Sequence, residues 1–290
     1  ATAARRFITF WLAHQNHQPD RFGVAGTTYD LDYLRDGEKL EPHLYDKSSP
    51  PNTGGPGYDA ADADPPIIAI TAARYFRATH DLDLLKSHAD NWQLTEHAMT
   101  AMLDRDGLTW AHPKYRIKYL MDAVEAQVGF AALADIWQAL GDDAKSVHTR
   151  ALSNQMRRGI ASLFSEKTAC YDWNRDEAGA QQSCDWHNVY PDTMEQLWPA
   201  VWGVEDARVP HSQAAWSAFV QHWPQWSSQN QMLNWPHTAV VASHLDDADQ
   251  KQAREQIDRI LSQRMNDDAW EVNQMYFTML AIAGETDGRD

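Results

Sequence analysis

The sequence predicts an all-α protein, an α/α toroid of five to six helical hairpins that form an (α/α)6-like barrel with short β-hairpins in the loops. An apolar helical stretch, a break at Gly or Asp and a polar helical stretch recur at 74–81, 135–142, 198–206 and 242–246. In each pair the first helix is apolar around much of its circumference, whereas the second is polar on one face. We therefore expect first helices to be inner and second helices outer.

The first part of the chain predicts one helix, a long loop region and a hairpin. Residues 3–15 have apolar groups at helical spacing, and 16–58 are rich in Pro, Gly, Asp and Tyr without a long periodic run. Helical periodicity returns over 64–79, where two prolines occupy the first turn, and a second helix is predicted over 82–103.

The rest of the chain predicts three more hairpins and a final helix. Short strands are expected in the connections at 107–117 and 168–187. The helical segments are 120–140 and 144–164, 192–203 and a return to 222, 237–245 and a return to 265, and lastly 270–284.

Composition indicates one domain and limits the partners. The chain has 290 residues, 43% of them hydrophobic, and no Gly/Ser/Pro-rich linker divides it, so we expect a single α/α-toroid catalytic domain over 1–290. The formal net charge of −16 argues against nucleic acid or an anionic membrane surface as a partner. No apolar run approaches the ~20 residues of a membrane span. The pattern indicates no particular oligomeric state.

The two cysteines flank a segment suited to a hairpin. Cys170 and Cys184 enclose 171–183, which has a glycine near its centre, so the two arms could bring the sulfurs together. A disulfide predicts a secreted or periplasmic protein, and two unpaired thiols are the alternative.

The loops before the inner helices should converge on one face of the ring, and they indicate a carbohydrate ligand. Flat aromatic rings cover the apolar faces of sugars, while polar side chains bind the hydroxyls. The alternative is that the tryptophans only fill the core. The predicted substrate-binding residues are Tyr58, Trp110, Arg116, Lys118, Tyr119, Trp173, Trp186, His187, Trp235, Trp270 and Tyr276.

Carboxyl groups in the same loops predict acid and base catalysis. Glycoside hydrolysis needs one protonated and one ionised carboxyl group, roughly 6.5–9.5 Å apart in inverting enzymes. Asp59 and Asp62 are the first candidates, since neighbouring like charges raise the pKa of an acid. Asp64, which precedes Pro65 and Pro66, is interpreted as the helix N-cap, a role also open to Asp62.

Two further groups of acids are candidates. Asp122 and Glu125 lie one turn apart on one helical face, and a pair favoured by the helix dipole is the alternative. Asp185 lies beside Trp186 in the proposed hairpin, where a structural ion pair is the alternative. The predicted catalytic residues are therefore Asp59, Asp62, Asp122, Glu125 and Asp185.

The sequence predicts neither a metal nor a cofactor. His112, His187 and His237 lack the spacing of zinc ligands, and the acidic run 59–64 lacks the glycine and distal glutamate of a calcium loop. No serine-nucleophile elbow, phosphate-binding loop or dinucleotide fingerprint occurs.

The segment 58–64, followed by a helix that ends at 75–81, resembles the six-hairpin glycosidase superfamily. In that superfamily, Asp-rich turns precede inner helices that end in a Tyr-x-x-x-Thr-Gly-Asp-like corner, and here His80 stands where glycine is usual. The resemblance covers roughly 58–145. It implies sugar chemistry, since members include inverting hydrolases, unsaturated-glucuronyl hydrolases, epimerases and relatives of polysaccharide lyases.

The leading prediction is an inverting glycoside hydrolase that cleaves a polysaccharide or oligosaccharide, such as a bacterial exopolysaccharide, by carboxylate general acid and base chemistry. One alternative is a polysaccharide lyase acting on uronic acids, with Tyr or His as the base and Lys114, Arg116 or Lys118 neutralising the carboxylate. The other is a non-catalytic carbohydrate-binding or scaffold protein.

Overall fold

The computed structural model describes residues 2–36, 39–44, 57–228, 236–264 and 272–283. Eleven α-helices hold most of these residues, and the strands are short, so the prediction of an all-α protein is confirmed. The chain divides into two compact units: unit 1 is Ala1–Ala161 with Arg175–Ala180, and unit 2 is Ser162–Asn174 with Gln181–Asp290. The single-domain interpretation stays a prediction.

The described part of unit 1 contains six helices and most of the predicted carboxylates. A two-stranded antiparallel sheet lies within the segment that the sequence predicted to be irregular, with Leu31 opposite Leu44 and Asp36 opposite Lys39. The elements are α1 Thr2–Ala13, β1 Leu31–Asp36, β2 Lys39–Leu44, α2 Asp64–Thr79, α3 Leu82–Ser87, α4 Ala89–Met102, β3 Ile117–Tyr119, α5 Leu120–Ala139 and α6 Asp143–Ala161.

Helices α2 and α5 form the core of unit 1. Half of the residues of α2 and most of those of α5 are buried, whereas α6 exposes much of its surface, as the inner and outer pattern predicted. Gly129 permits their close approach, because a Cβ atom at this position would lie 2.5 Å from the Cβ of Pro66. The start of α2 therefore lies against the first half of α5.

The helix corners follow the repeated break in the sequence. His80 after α2 and Gly141 after α5 adopt the left-handed conformation, with φ of 56° and 80°. The next residue caps the following helix in both cases, since Asp81 accepts the N–H of Leu84 at 3.1 Å and Asp142 accepts that of Lys145 at 3.0 Å. The helix predicted over 82–103 is divided at His88 into α3 and α4.

Unit 2 repeats the pairing of a buried and a more exposed helix. Every residue of α7 and α9 is buried, while α8 and α10 each keep a polar, exposed side. A short π-helical segment, Val189–Thr193, leads into α7. The elements are β4 Phe164–Ser165, β5 Cys170–Tyr171, β6 Asn174–Asp176, β7 Gln181–Gln182, α7 Met194–Val201, α8 Pro210–His222, α9 His237–Ala242, α10 Asp247–Arg264 and α11 Val272–Ala283, of which β6 begins in unit 2 and ends in unit 1.

The predicted disulfide is present in unit 2. Cys170 and Cys184 are bonded, with their Cα atoms 6.3 Å apart. Strand β5, which contains Cys170, pairs antiparallel with β4. Nearby, the Tyr171 hydroxyl donates to Glu205 at 2.7 Å, and burial raises the pKa of that hydroxyl above its usual value.

No helix among the described residues is both long enough and apolar enough to cross a membrane.

Candidate functional site

The acidic segment before α2 is held in place by backbone hydrogen bonds. The N–H of Asp30 donates to the carbonyl of Gly57 at 2.8 Å. The N–H of Ala61 donates to the carbonyl of Ala111, also at 2.8 Å. These two bonds fix the segment between the loop that ends at Asp30 and the turn that contains Trp110 and Ala111.

Asp62 lies in the interior at the centre of this segment. Its residue is 0% exposed, and neither carboxyl oxygen has a hydrogen-bond partner among the described residues. The pKa of Asp62 is raised to about 6, mainly by burial and in smaller part by the charge of Asp59, while the Thr109 hydroxyl and the backbone N–H of Asp62 oppose the rise. Thr109 is close enough to affect the carboxyl electrostatically, although its Oγ1 forms no hydrogen bond to a described residue.

Asp64 begins α2 and lies among other acids. Burial raises its pKa well above the usual value, and the charges of Asp30, Asp59, Asp62 and Glu125 raise it further. As a whole residue Asp64 keeps some exposed surface, whereas Asp62 is fully buried. Loss of water contact and like charge together favour a protonated carboxyl group.

The predicted capping role of Asp64 was wrong. The N-cap of α2 is Ala63, which makes no side-chain cap hydrogen bond, and Asp64 is the first helical residue. The Asp64 N–H donates to the carbonyl of Ala60 at 3.1 Å, and the Ile67 N–H donates to that of Ala63 at 3.2 Å. The carboxyl of Asp64 is therefore not used to start the helix.

Glu125 reaches this cluster from α5. It lies one helical turn before Gly129, the residue at which α5 meets Pro66, and its charge acts on Asp64. Asp122 lies one turn earlier on α5 and is half-buried. We refer to Asp30, Asp59, Asp62, Asp64 and Glu125 as the carboxyl cluster; of its members, Asp59 is exposed.

His112 lies beside the carboxyl cluster as a buried, neutral side chain. Its Nδ1 accepts the N–H of Lys114 at 3.0 Å, so the ring proton is on Nε2, an atom with no hydrogen-bond partner among the described residues. Burial lowers the pKa of His112, whereas the charges of Asp20 and Asp59 raise it. The ring packs edge-on against Phe22, with centroids 4.5 Å apart.

Tyr58, predicted to bind substrate, lies in the core. It is 1% exposed and its hydroxyl donates to Asp20 at 2.8 Å. Its ring packs against Phe22 and stacks with Tyr29 at 6.2 Å. Burial raises the pKa of the Tyr58 hydroxyl above its usual value. The Tyr58 side chain therefore packs in the core and stabilises the acidic segment in which it lies.

Lys118 and Arg116 have partners in the turn before α5. Lys118 is 4% exposed at its side chain, and its Nζ donates to Asp104 at 2.6 Å and Asp106 at 2.8 Å. Its ammonium also lies 4.0 Å from the ring centroid of Trp110, and the Arg116 guanidinium lies 5.1 Å from the same ring. Lys118, Arg116 and Trp110 would therefore have to lose or share these interactions in order to bind a substrate as predicted.

Tyr119, immediately before α5, is half-buried, and its hydroxyl lies 3.4 Å from that of the exposed Tyr115. Its role in binding stays a prediction.

The predicted acid of unit 2, Asp185, organises a turn. It is exposed, and its carboxyl accepts the N–H of His187 at 2.9 Å. Trp186 stacks on His222 with ring centroids 5.7 Å apart, and His187 packs edge-on against the same ring. This arrangement favours the structural interpretation of Asp185 over the catalytic one.

Of the remaining predicted aromatic residues, the structure describes Trp173 and Tyr276. Trp173 is half-buried, and its backbone N–H donates to the backbone carbonyl of Gln182 at 2.9 Å. Tyr276 is half-buried and lies against Trp202 and Phe277. Trp235 and Trp270 lie outside the described residues. That these groups join the carboxyl cluster in one site stays a prediction.

Within the parts of the chain that the structure describes, no group of three or more His, Cys, Asp or Glu side chains is arranged as metal ligands. The carboxyl cluster combines two acids with raised pKa values, Asp62 and Asp64, with the exposed carboxyl group of Asp59. Such a combination could support general acid and base catalysis.

No known protein family matches this chain, and no curated protein matches it. Among solved structures, the GH78 family rhamnosidase of Bacillus sp. GL1 is similar, with a TM-score of 0.45 and 13% sequence identity. The match covers 74% of this chain and 22% of the rhamnosidase chain, so this chain spans less than a quarter of that protein's length. A likeness of this degree carries no argument about function.

Proposed function

We propose that the protein is a glycoside hydrolase that acts on a polysaccharide or oligosaccharide, with the carboxyl cluster as its catalytic site. The observation that carries the proposal is the raised pKa of Asp64, a partly exposed acid that has the exposed Asp59 as an electrostatic neighbour. Glycoside hydrolysis requires two carboxyl groups, one that donates a proton and one that accepts a proton or attacks, and a raised pKa suits the donor.

The two carboxyl groups take different roles. Asp64 donates its proton to the glycosidic oxygen as the bond to the anomeric carbon breaks. Asp59 accepts a proton from a water molecule whose oxygen attacks that carbon, so the products are two sugars and the enzyme proton moves from Asp64 to Asp59. We propose the inverting course because Asp59 is exposed to water.

Asp62 acts behind Asp64 as a positioning residue. It is buried and does not reach a substrate, but its charge disfavours ionisation of Asp64. Proton uptake by Asp62, whose pKa is about 6, changes this effect within the range in which such an enzyme would work.

Two observations support hydrolysis over elimination at this site. A lyase needs a cation that neutralises the uronate carboxylate, and Lys118 already binds Asp104 and Asp106. Arg116 lies over Trp110, and the carboxyl cluster would repel a uronate by like charge.

We place the protein in a secreted or periplasmic compartment and its helices in an α/α toroid. The Cys170–Cys184 disulfide supports the first, because disulfides persist in oxidising compartments. The alternation of buried and exposed helices within each unit supports the second.

The test is release of reducing ends from a panel of neutral and acidic polysaccharides, with ultraviolet absorbance recorded in the same wells. We expect new reducing ends without absorbance. Reducing ends with absorbance would show that a lyase forms a double bond. Binding of a polysaccharide without any turnover would support a non-catalytic carbohydrate-binding protein.

A further inference from the structure

We infer that unit 2 carries a second carbohydrate-binding site, a cavity in which Arg208, Ser217 and Asp249 form hydrogen bonds with a neutral sugar residue. The site binds the polymer and does not cleave it. The inference depends on the proposed function only for the kind of ligand, a polysaccharide. The cavity shares no residue with the carboxyl cluster, which belongs to unit 1.

The cavity lies where the helices of unit 2 turn back, between the corner before α8 and the corner that joins α9 to α10. Its volume is about 410 Å³, within the range of roughly 300–1,000 Å³ that is usual for ligand pockets. The wall includes Arg208 before α8, Gln213, Trp216 and Ser217 on α8, and Leu245 and Asp249 around the start of α10. The substrate-binding residues that the sequence predicted are not among them.

Two hydrogen bonds fix the polar groups of this wall. Nε of Arg208 donates to the backbone carbonyl of His244 at 3.1 Å, and Nε1 of Trp216 donates to Oδ1 of Asp249 at 3.2 Å. The first bond joins the two corners, and the second joins α8 to α10. The terminal nitrogens of the exposed Arg208 and Oδ2 of the half-buried Asp249 make no hydrogen bond to a described residue. These atoms are therefore held in position and available to a ligand.

The chemistry of the wall favours a neutral ligand with several hydroxyl groups. The Arg208 guanidinium disfavours a cation, and the carboxyl groups of Asp246 and Asp249 disfavour an anion such as a uronate. Gln213 and Ser217 are exposed and add an amide and a hydroxyl group. Sugar hydroxyls both donate and accept, so one sugar residue satisfies the donors and acceptors together, while Leu245 offers a contact for its C–H groups.

A free α-amino acid is the alternative ligand, because it would place a carboxylate on Arg208 and an ammonium group on Asp249. Burial raises the pKa of Asp249 above its usual value, and the charge of Asp246 raises it too, while the Trp216 N–H opposes the rise. Asp249 therefore holds its negative charge less firmly than an ordinary carboxylate. This state weakens an ion pair with an ammonium group and still permits hydrogen bonds with hydroxyls.

The experiment measures binding by native electrophoresis in gels that contain mixed-linkage β-glucan, galactomannan, xylan, dextran or polygalacturonate. We expect at least one neutral polysaccharide to retard the wild type and polygalacturonate to leave its mobility unchanged. Isothermal titration with oligosaccharides of the retarding polysaccharide then gives the dissociation constant. Glycine, glutamate and lysine are titrated in parallel.

Two variants test the cavity in different ways. Arg208→Met removes the fixed donors, and Ser217→Leu fills the space without removing a charge. Each should weaken oligosaccharide binding at least about tenfold. Arg254→Met and Gln221→Leu are the matched controls, because both positions are exposed on α10 and α8 and do not line the cavity. The controls should bind as the wild type does, and the unfolding midpoints of all four variants show whether each one is folded.

Reducing-end release from the same polysaccharides separates this inference from the proposed function. Hydrolysis with equal binding by the wild type and both cavity variants, or hydrolysis without retardation by any neutral polysaccharide, would overturn the inference and leave the hydrolase proposal standing. Binding that both cavity variants lose, with no hydrolysis by the wild type, would support the inference and count against the proposed catalysis. Binding of a free amino acid but of no sugar, lost in Ser217→Leu, would overturn the assignment of the ligand.

Discussion

Gly129 of α5 lies so close to Pro66 of α2 that a Cβ atom on the glycine would be 2.5 Å from the proline Cβ and 2.6 Å from its Cα. Real carbon atoms do not approach this closely without movement of one of the helices. Asp64 is two residues from Pro66, and Glu125 is one turn from Gly129. The contact therefore sets how far apart the two carboxyl groups lie.

We expect Gly129→Ala to destabilise the protein and reduce hydrolysis. Overpacking of a core contact costs about 1–3 kcal/mol, and the added methyl would move α5 away from α2. Urea unfolding gives the first quantity and reducing-end release the second. An increase in stability of up to about 1 kcal/mol, as Gly→Ala gives in an exposed helix, would contradict the close contact.

Asp64→Asn should remove the proton donor without loss of the fold. General acid catalysis contributes about 10²- to 10⁴-fold, so hydrolysis should fall by that factor. Circular dichroism and the unfolding midpoint should stay near those of the wild type, because Asp64 caps no helix. Asp90→Asn is the matched control and should keep full activity; equal losses in both variants would argue against Asp64 as the acid.

Asp62 should make stability fall as the pH rises. Its pKa is about 6 in the folded protein and near 3.9 when unfolded, so between these values the folded state holds the extra proton. Stability from this group is full below about pH 4 and is lost as the pH rises through about 6, by up to roughly 3 kcal/mol. Denaturant unfolding across this range measures how the free energy of unfolding falls with pH. The fall should be the same in the wild type and in Asp90→Asn, and smaller in Asp62→Asn.

Lys118→Met should cost about 1–3 kcal/mol in the free energy of unfolding, since the carboxylates left behind are partly exposed and Asp106 keeps its ion pair with Arg175. The change removes a buried ammonium that binds Asp104 and Asp106 and leaves both carboxylates without it. Lys118 also keeps the pKa of Asp104 below its usual value, so the variant should lose stability mainly at neutral pH and less under acid conditions. Lys114→Met, at an exposed position four residues away, should change stability by less than about 0.5 kcal/mol.

Loss of the disulfide should destabilise the protein by about 3 kcal/mol, the value for a closed loop of this length. Cys170 and Cys184 are 14 residues apart. Replacement of both by Ser and reduction of the wild type with dithiothreitol should give the same unfolding midpoint. A midpoint unchanged by either treatment would show that the bond does not restrain the unfolded chain.

Helix positions and corners were predictable because they depend on local chemistry. The apolar period gives α2 and α5 within a residue or two, and Asp81 and Asp142 cap the helices that follow them. The left-handed residue before each Asp is Gly141 in one corner and His80 in another. Glycine is usual at such a position because other residues, histidine included, adopt the left-handed conformation at a steric cost. A corner pattern that requires glycine therefore does not include His80.

The site was only partly predictable, because burial and partners come from tertiary contacts. The spacing of the acidic residues identified Asp59, Asp62 and Glu125 as candidates. Asp64 was interpreted as the helix N-cap instead, because an Asp before Pro-Pro is common at the start of a helix. Lys118 was expected to bind substrate, because nothing local shows that Asp104 and Asp106 fold back onto it. The sequence feature that could have identified Asp64 as a site residue is its position two residues after Asp62, a spacing that helix capping does not explain.

The two prolines at the start of α2 have a chemical consequence for the acids beside them. A helix N-terminus normally offers free N–H groups that stabilise a carboxylate and lower its pKa. Here Pro65 and Pro66 have no N–H, and those of Asp64 and Ile67 already donate to Ala60 and Ala63. The two prolines therefore reduce the capacity of this helix N-terminus to bind an anion. As a result, the backbone does little to lower the pKa of the carboxyl group whose proton the proposed reaction consumes.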